Sequence, residues 1–328
     1  MRLQVYFLLL VAFVAACSDK PEVNSIDNYF DQTPPGDTAV VFAPGILSTG
    51  SHELDITITP DGGEIFFTRS GPDWFSSVLQ FKRINNKWIG PLMPAFSGKY
   101  QNNYPFVSPD GLSIVYNSQE PVKDGQTGGS NIFVSKLISG EWGDGLLLDS
   151  TLNINGTEMY VSLAANGNIY FGARYEKGLG GCDIYMCEYL GKSYGKATNL
   201  GSSINSEHNE FHCYISPDES FLLFDANRPD GFGGNDIYIS CKLPDGSWSI
   251  AKNLGEGINT QYSESRPYIS PEGKYFFFCS TRAAALEENH GEKMSYDEFQ
   301  NRIDGPGNGN QDIYWISTKI IEELRPKE

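Results

Sequence analysis

The sequence predicts an all-β fold, a β-propeller of five four-stranded blades, from three markers that recur along the chain. The first is a tight turn built on Pro-Asp or a related pair, repeated at intervals of about fifty residues. A single four-stranded sheet leaves both faces bare, and stacking such sheets in a ring buries them. The five turns are Pro60-Asp61, Pro109-Asp110, Ala165-Asn166-Gly167, Pro217-Asp218 and Pro271-Glu272.

The second marker is a strand-forming triplet after each turn, and the third is an aromatic residue that opens a fourth strand. The triplets are Ser77-Val78-Leu79, Asn131-Ile132-Phe133, Asp183-Ile184-Tyr185, Asp236-Ile237-Tyr238 and Asp312-Ile313-Tyr314. The aromatic residues are Trp88, Trp142, Tyr194 and Trp248, so the last unit lacks a fourth strand. Residues 39–42 form a strand-like run before the first turn, and we expect this N-terminal strand to close the last blade.

These turns and triplets resemble the TolB-like, WD40-like propeller repeats that are named for the Pro-Asp turn. The resemblance covers roughly residues 53–317, nearly all of the chain after its N-terminal segment. Rings of this family often have six blades, so six is the alternative count. The resemblance implies a binding scaffold, an enzyme accessory domain or an assembly factor, and the fold does not choose among them.

The N-terminus has the features of a bacterial lipoprotein signal. Met1-Arg2 precedes an apolar run from Val5 to Ala16, too short for a membrane span. Val14-Ala15-Ala16-Cys17 resembles a lipobox, which implies a signal peptide over residues 1–16 and lipidation of Cys17. Because Ser18 rather than aspartate would follow the lipidated cysteine, we expect anchoring at the outer membrane of a bacterial cell envelope.

Three further segments complete the predicted organisation. Residues 17–37 are polar and are interpreted as a tether, and residues 38–328 as the propeller. The last unit carries an insertion over residues 283–311, ahead of its Asp-Ile-Tyr triplet. Within it, Ser295-Tyr296-Asp297-Glu298 matches a capping box and predicts a short helix. The tail from Ile320 to Leu324 is compatible with a helical turn or an edge strand.

Composition excludes several classes of function. The 41 acidic residues outnumber the 24 basic ones and give a net charge of −17, which disfavours binding to nucleic acid or to anionic lipid headgroups. Apart from Cys17, five cysteines remain, an odd number, and we expect them to be buried thiols. Their spacing matches neither a zinc site nor a redox pair, so no metal and no cofactor is predicted.

The candidate binding residues lie at the mouth of the predicted ring. A glutamate stands seven residues before four of the turns, and Asn102 takes its place in the second unit. Two residues after these come Asp55, Tyr104, Tyr160, His212 and Arg266, which share a strand face. The candidate ligand-binding set is Glu53, Glu158, Glu210, Glu264, His52, His208, His212 and Arg266.

These residues have a structural interpretation beside the functional one. A carboxylate repeated in every blade is typical of a residue that satisfies loop amides or pairs with an arginine. The arginines that end the second strands, Arg69, Arg174, Arg228 and Arg282, are expected to pair with Asp183, Asp236 and Asp312. The glycine-rich loops near Gly180 and Gly233 precede strands rather than helices, so they do not indicate phosphate binding.

The expected function is that of a lipid-anchored envelope scaffold without a catalytic residue, which binds a protein, peptide or glycan through the acidic mouth and the insertion. The opposite side carries the short turns and is expected to offer little surface. Two alternatives remain open. One is a glycosidase or lyase that uses carboxylates at the mouth. The other is a structural subunit of an envelope assembly.

Overall fold

Five antiparallel sheets make up the computed structural model, which describes residues 29–122, 129–283 and 293–326. Its first strand, β1 (Val40–Val41), belongs to the last sheet. Blade 1 contains β2 (His52–Ile58), β3 (Glu64–Ser70), β4 (Ser76–Ile84) and β5 (Lys87–Leu92). Blade 2 contains β6 (Asn102–Val107), β7 (Ser113–Ser118), β8 (Asn131–Ile138), β9 (Glu141–Trp142) and β10 (Leu146–Leu147).

The remaining three sheets follow in chain order. Blade 3 contains β11 (Met159–Leu163), β12 (Ile169–Ala173), β13 (Asp183–Cys187) and β14 (Thr198–Asn199). Blade 4 contains β15 (Asn209–Ile215), β16 (Phe221–Asn227), β17 (Asp236–Cys241) and β18 (Lys252–Asn253). Blade 5 contains β19 (Glu264–Ile269), β20 (Tyr275–Ser280), β21 (Asp312–Ser317) and the N-terminal β1.

The first strands of the five sheets contact one another in a closed circuit. Strand β2 contacts β6, β6 contacts β11, β11 contacts β15, β15 contacts β19, and β19 contacts β2 again. This circuit defines a five-bladed propeller whose axis is lined by the first strands, so the prediction of five blades is confirmed. The outer strands β10, β14 and β18 of blades 2, 3 and 4 have only two residues each, because irregular backbone follows Trp142, Tyr194 and Trp248, whereas β5 of blade 1 has six.

The predicted ring closure is also confirmed. Val40 and Val41 pair with Trp315 and Tyr314, so β1 becomes the outer strand of blade 5. Phe42 follows directly, is fully buried and packs edge-on against Phe277 and Trp315 at ring-centroid distances of 5.0 and 5.1 Å. The first and last strands of the described residues therefore belong to one blade, and β1 covers the edge of β21 that an open ring would expose.

The segment before β1 differs from the predicted tether. Tyr29 is fully buried among the aromatic side chains of blade 5, and Phe30 stacks on Trp88 of blade 1 at 5.0 Å. The side chain of Gln32 donates to the Val41 carbonyl and accepts from the Ala43 amide. The domain therefore begins at or before Tyr29, because two aromatic residues in an otherwise polar stretch dock into the closing seam. Residues 17–28 lie outside the described residues.

Two helices complete the described structure. Helix α1 (Tyr296–Asp304) starts at the capping box of Ser295 and Glu298, as the sequence predicts, and it ends with Gly305 as its C-cap. Helix α2 (Lys319–Leu324) is the C-terminal turn, and its Ile321 is buried. Residues 284–292 of the insertion lie outside the described residues. Among the helices of the described ranges, none has the length and apolar composition needed to cross a membrane.

The two ends of the ring carry different connections. We call turn face the end with the turns between first and second strands, residues 59–63, 108–112, 164–168, 216–220 and 270–274. We call loop face the opposite end, which holds the links between blades and those between second and third strands. The latter links are residues 71–75, 174–182 and 228–235, with the described parts of 119–130 and 281–311.

Candidate functional site

The four glutamates of the predicted acidic mouth are completely buried, although they lie at the loop face. Each carboxylate accepts hydrogen bonds from the link between blades that immediately precedes it. Glu210, for example, accepts from the Ser206 amide at 2.9 Å and from its hydroxyl at 2.6 Å. Glu53 binds Thr49 and Glu264 binds Thr260 in the same way, while Glu158 accepts the amides of residues 154–157.

Three of these glutamates also pair with an arginine of their own blade. Glu53 Oε1 lies 2.8 Å from Arg69 Nε, and Glu210 Oε1 lies 2.9 Å from Arg228 Nη2. Glu264 pairs with Arg282 at 3.3 Å. In each case the arginine also donates to a carbonyl of the preceding link, that of Leu47, Ile204 or Ile258. The unit is a clamp that joins a strand end to the link between blades.

The predicted arginine–aspartate pairing is therefore wrong. Asp183 accepts the amides of Leu179 at 2.5 Å and Gly180 at 2.9 Å, and Asp236 accepts those of Phe232 and Gly233 at 2.6 and 3.2 Å. Asp312 accepts the Gly307 amide at 2.7 Å. The aspartates thus accept hydrogen bonds from amides of the glycine-rich loops, and the arginines of blades 1, 4 and 5 pair with glutamates instead. Arg174 is exposed, because blade 3 satisfies Glu158 with loop amides.

The residues two positions beyond the glutamates converge on the axis. We call Asp55, Tyr104, Tyr160, His212 and Arg266, one from each blade, the axial ring. Every first strand has a register shift at this position, the mark of a β-bulge. Four of the five have left-handed backbone, with φ between 52° and 63°. The bulges turn the five side chains inward.

The preceding blade supports this strained backbone. Thr68 Oγ1 accepts the Tyr104 amide at 3.2 Å, and Asn117 Oδ1 accepts the Tyr160 amide at 3.2 Å. Asp225 Oδ1 accepts the Arg266 amide at 3.1 Å. A polar residue on the second strand of one blade therefore fixes the axial residue of the next. A left-handed backbone conformation in a residue other than glycine costs free energy, and it persists where neighbouring groups hold the backbone in place.

Three axial side chains lie in close pairs, one within the axial ring and one with Asp225 of β16. Arg266 Nε lies 3.3 Å from Asp55 Oδ1, and His212 Nδ1 lies 2.8 Å from Asp225 Oδ1. Burial raises the pKa of Asp55 to about 6 despite the nearby Arg266 guanidinium. Burial lowers the pKa of His212 to about 4 despite Asp225, so the imidazole is neutral at neutral pH. Among the described residues, Asp55 Oδ2, His212 Nε2 and Arg266 Nε are buried without a hydrogen-bond partner, so the contact of Arg266 with Asp55 is an ion pair and not a hydrogen bond.

The space inside the axial ring is small. It measures about 40 Å³, room for one to a few water molecules. Small-molecule sites in proteins typically enclose roughly 300–1,000 Å³. The axial ring therefore suits a polar plug that closes the central channel around water, and a sugar ring does not fit there. Within the described residues, no three His, Cys, Asp or Glu side chains come together as a metal site.

The three candidate histidines lie in different surroundings. His52 stacks on Trp74 at a ring-centroid distance of 4.5 Å, and burial lowers its pKa. His208 lies in the link before blade 4, with Nε2 3.8 Å from Glu207. His212 belongs to the axial ring, against Tyr160 at 3.8 Å. Of the candidate set, the structure brings His212 and Arg266 together. It places Glu53, Glu210 and Glu264 in separate clamps and surrounds Glu158 with loop amides.

Three features of the site were not predicted from the sequence. A serine or threonine stands four residues before Glu53, Glu210 and Glu264, and this spacing is the signal of the clamp. Asp225 is a fully buried carboxylate in the apolar run of β16. Because a charged side chain is rarely buried unless it is paired, this position indicates an ion-pair or hydrogen-bond partner elsewhere in the chain. The exposed loop tips at the loop face were likewise not singled out.

No family model matches the chain, and no curated protein does. The solved structures that are similar to it include a putative TolB from Agrobacterium tumefaciens, with 16% identity and a TM-score of 0.49, covering 81% of this chain and 90% of that one. TolB from Acinetobacter baumannii shows 15% identity and a TM-score of 0.43 over 81% of this chain and 54% of its own. An alpha-L-arabinofuranosidase from Lactobacillus brevis shows 11% identity and a TM-score of 0.45, covering 82% of this chain and 91% of its own. Similarity at this level transfers no function to the chain.

Proposed function

We propose that this chain is a lipid-anchored binding propeller of the bacterial cell envelope, and that it engages a protein partner through apolar side chains at the loop face. One observation carries the proposal: the loops between second and third strands expose a large apolar residue in several blades. Trp74 of blade 1 is 56% exposed, Leu179 of blade 3 is 51% exposed and Phe232 of blade 4 is 44% exposed.

We call these three residues the loop tips, and hydrogen bonds fix the backbone at each of them. The Asp183 carboxylate accepts a hydrogen bond from the Leu179 amide, and the Asp236 carboxylate accepts one from the Phe232 amide. The backbone at both residues is therefore fixed while their side chains are exposed to solvent. In blade 1, Gln101 donates to the Trp74 carbonyl at 3.0 Å. Side chains on ordered loops lose less conformational entropy on binding, which favours their use as anchors of an interface.

The insertion of blade 5 adds a further apolar strip to the same face. Tyr296, Phe299 and Ile303 recur along one side of α1, and none of the helix is buried. The loop after α1 is tied to the ring, because Asn308 and Asn310 both donate to the Gly50 carbonyl, at 3.1 and 2.8 Å. Aromatic and aliphatic residues gathered on one face are typical of protein–protein interfaces.

The chemistry of the tips favours a protein over a glycan. Of the six exposed apolar side chains of the loop tips and α1, Trp74 and Tyr296 carry one hydrogen-bonding group each and the other four carry none, whereas a sugar needs several. The net charge of −17 favours a partner whose apolar patch has a basic rim. The repeated glutamates contribute nothing to such a contact, because their carboxylates are occupied by loop amides and arginines.

A photo-reactive phenylalanine analogue placed at Phe232 tests the proposal in living cells. We expect one discrete crosslinked protein from this position and none from Ile138, which is 66% exposed at the turn-face end of β8. Equal crosslinking from both positions, or a product that carries glycan in place of protein, would contradict the proposed partner.

Anchoring by lipid is the second part of the proposal, and it depends on the lipobox at Cys17, which lies outside the described residues. Cys17→Ser is expected to abolish fatty-acid labelling and to release the protein from the outer-membrane fraction. Retained label and retained fractionation in the variant would show that the protein reaches the membrane by another route.

A further inference from the structure

A groove of about 500 Å³ lies between blades 2 and 3 at the turn face, far from the axial ring and from the loop face. One wall is formed by β8 and β10 of blade 2, including Leu147. The other is formed by blade 3, with Leu163 at the end of β11 and the pair Tyr189 and Tyr194 beyond β13. Its volume lies within the range of roughly 300–1,000 Å³ that holds small molecules.

The groove coincides with the turn that departs from the repeat. Four blades have serine or threonine followed by proline at this place, whereas blade 3 has Ala164-Ala165. These two alanines line the groove and leave space beside blade 2. Gly167 continues the departure: a Cβ there would lie 2.6 Å from Tyr189 Cδ1, so the glycine lets the tyrosine ring rest over the turn.

Two lysines at this groove have no ionic partner. Lys136 and Lys192 are exposed and line the groove, and neither forms an ion pair with a carboxylate of the described residues. Asp110 and Asp149 also line it, and three of their four carboxylate oxygens already accept hydrogen bonds. Asp110 Oδ1 accepts from Ser108 and Leu112, and Asp149 accepts from Thr151 and the Tyr194 amide. Among the described residues, the two ammonium groups by contrast have neither an ion pair nor a hydrogen bond, in a chain of net charge −17.

We infer that this groove binds a small amphipathic anion. Its apolar body would lie against Leu147, Leu163 and the rings of Tyr189 and Tyr194, and its carboxylate, sulfonate or phosphate would lie between Lys136 and Lys192. Apolar walls contribute burial, and the two ammonium groups fix the orientation of the charged end. This site is separate from the loop face and does not depend on the partner proposed there.

Fluorescence titration of the purified protein with anilinonaphthalene sulfonate, followed by displacement with decanoate, tests the inference. Lys136→Gln with Lys192→Gln is expected to weaken decanoate binding about tenfold, since two exposed charge contacts contribute up to about 1 kcal/mol each. Ala165→Trp fills the groove from an exposed position and is expected to weaken it at least as much. Lys87→Gln with Lys177→Gln removes two exposed lysines elsewhere and is expected to change nothing.

Decanol provides the uncharged comparison, and we expect it to displace the probe weakly and equally from the wild type and from the double-lysine variant. Absence of decanoate binding to the wild type would overturn the inference. So would equal decanoate affinity in wild type and variants, or a loss in only one of the two variants, because the site requires both the charge and the volume.

Discussion

Arg228 lies against Glu210, with Nη2 2.9 Å from Oε1, and the carboxylate of this pair is completely buried. Removing a charged carboxylate from water is costly unless a cation and hydrogen-bond donors replace the water. Here the arginine and the amide and hydroxyl of Ser206 do so. Since the same clamp recurs at Glu53 and Glu264, the carboxylates that suggest an acidic mouth are parts of the ring itself.

Tyr29 tests whether the segment before β1 belongs to the domain. Tyr29→Ala removes a fully buried ring that contacts Phe42, Phe277 and Trp315, and we expect the melting temperature to fall by about 10 °C. Tyr29→Phe is the matched control, because it removes only the hydroxyl that contacts Glu272, and a fall of no more than about 3 °C is expected. An unchanged melting temperature for Tyr29→Ala would show that this segment is part of the tether and does not stabilise the domain.

The N-terminal strand is expected to be essential to the ring. A chain that begins at Gly45 lacks β1 and Phe42, so it loses the pairing with Tyr314 and Trp315 and exposes the edge of β21. We expect it to aggregate or to melt several degrees below a chain that begins at Ala39, since both forms lack Tyr29 and differ in β1 and Phe42. A chain that begins at Ala39 keeps the strand and is the control. Equal melting of these two truncated forms would mean that the ring closes without β1.

Asp312 is expected to make stability depend on pH. Burial raises its pKa to about 7, although the Gly307 amide acts in the opposite direction. An acid whose folded-state pKa lies above its unfolded value binds its proton more tightly when folded. Its contribution to stability is therefore present below the unfolded pKa, about 4, and is lost as the pH rises through about 7.

Asp312→Asn keeps an acceptor for the Gly307 amide and removes the titration. The variant should melt higher than the wild type at pH 8, by on the order of 5 °C, and the difference should shrink toward pH 5. Asp144→Asn changes an exposed aspartate of blade 2 and serves as the control. A difference between wild type and Asp312→Asn that stays constant from pH 5 to pH 8 would contradict the assignment.

The ring itself could be predicted from the sequence because its markers are local. A Pro-Asp turn, a capping box at Ser295 and a strand-like run at residues 39–42 each depend on a few adjacent residues. Their repetition then sets the number of blades. The resemblance to TolB-like repeats rests on the same turns.

The partners within the site could not be predicted in the same way. The alternation of side chains along a strand predicts the face of the sheet on which each residue lies. A bulge at each axial residue breaks this alternation at the residues that form the axial ring. Alternation also cannot decide whether Arg228 reaches Asp236 or Glu210, since both lie at the same end of blade 4. The groove between blades 2 and 3 arises from missing bulk at Ala164-Ala165, which no motif describes.

We propose that the buried glutamates stabilise the ring and that the exposed loop tips bind the partner. Two double variants, studied by melting and by photo-crosslinking from position 296, test it directly. Glu210→Gln with Glu264→Gln should lower the melting temperature by on the order of 10 °C and leave crosslinking intact well below it. Leu179→Ser with Phe232→Ser should melt like the wild type and lose the crosslinked partner. The reverse result, stable glutamate variants that no longer crosslink and loop-tip variants that still do, would contradict the claim.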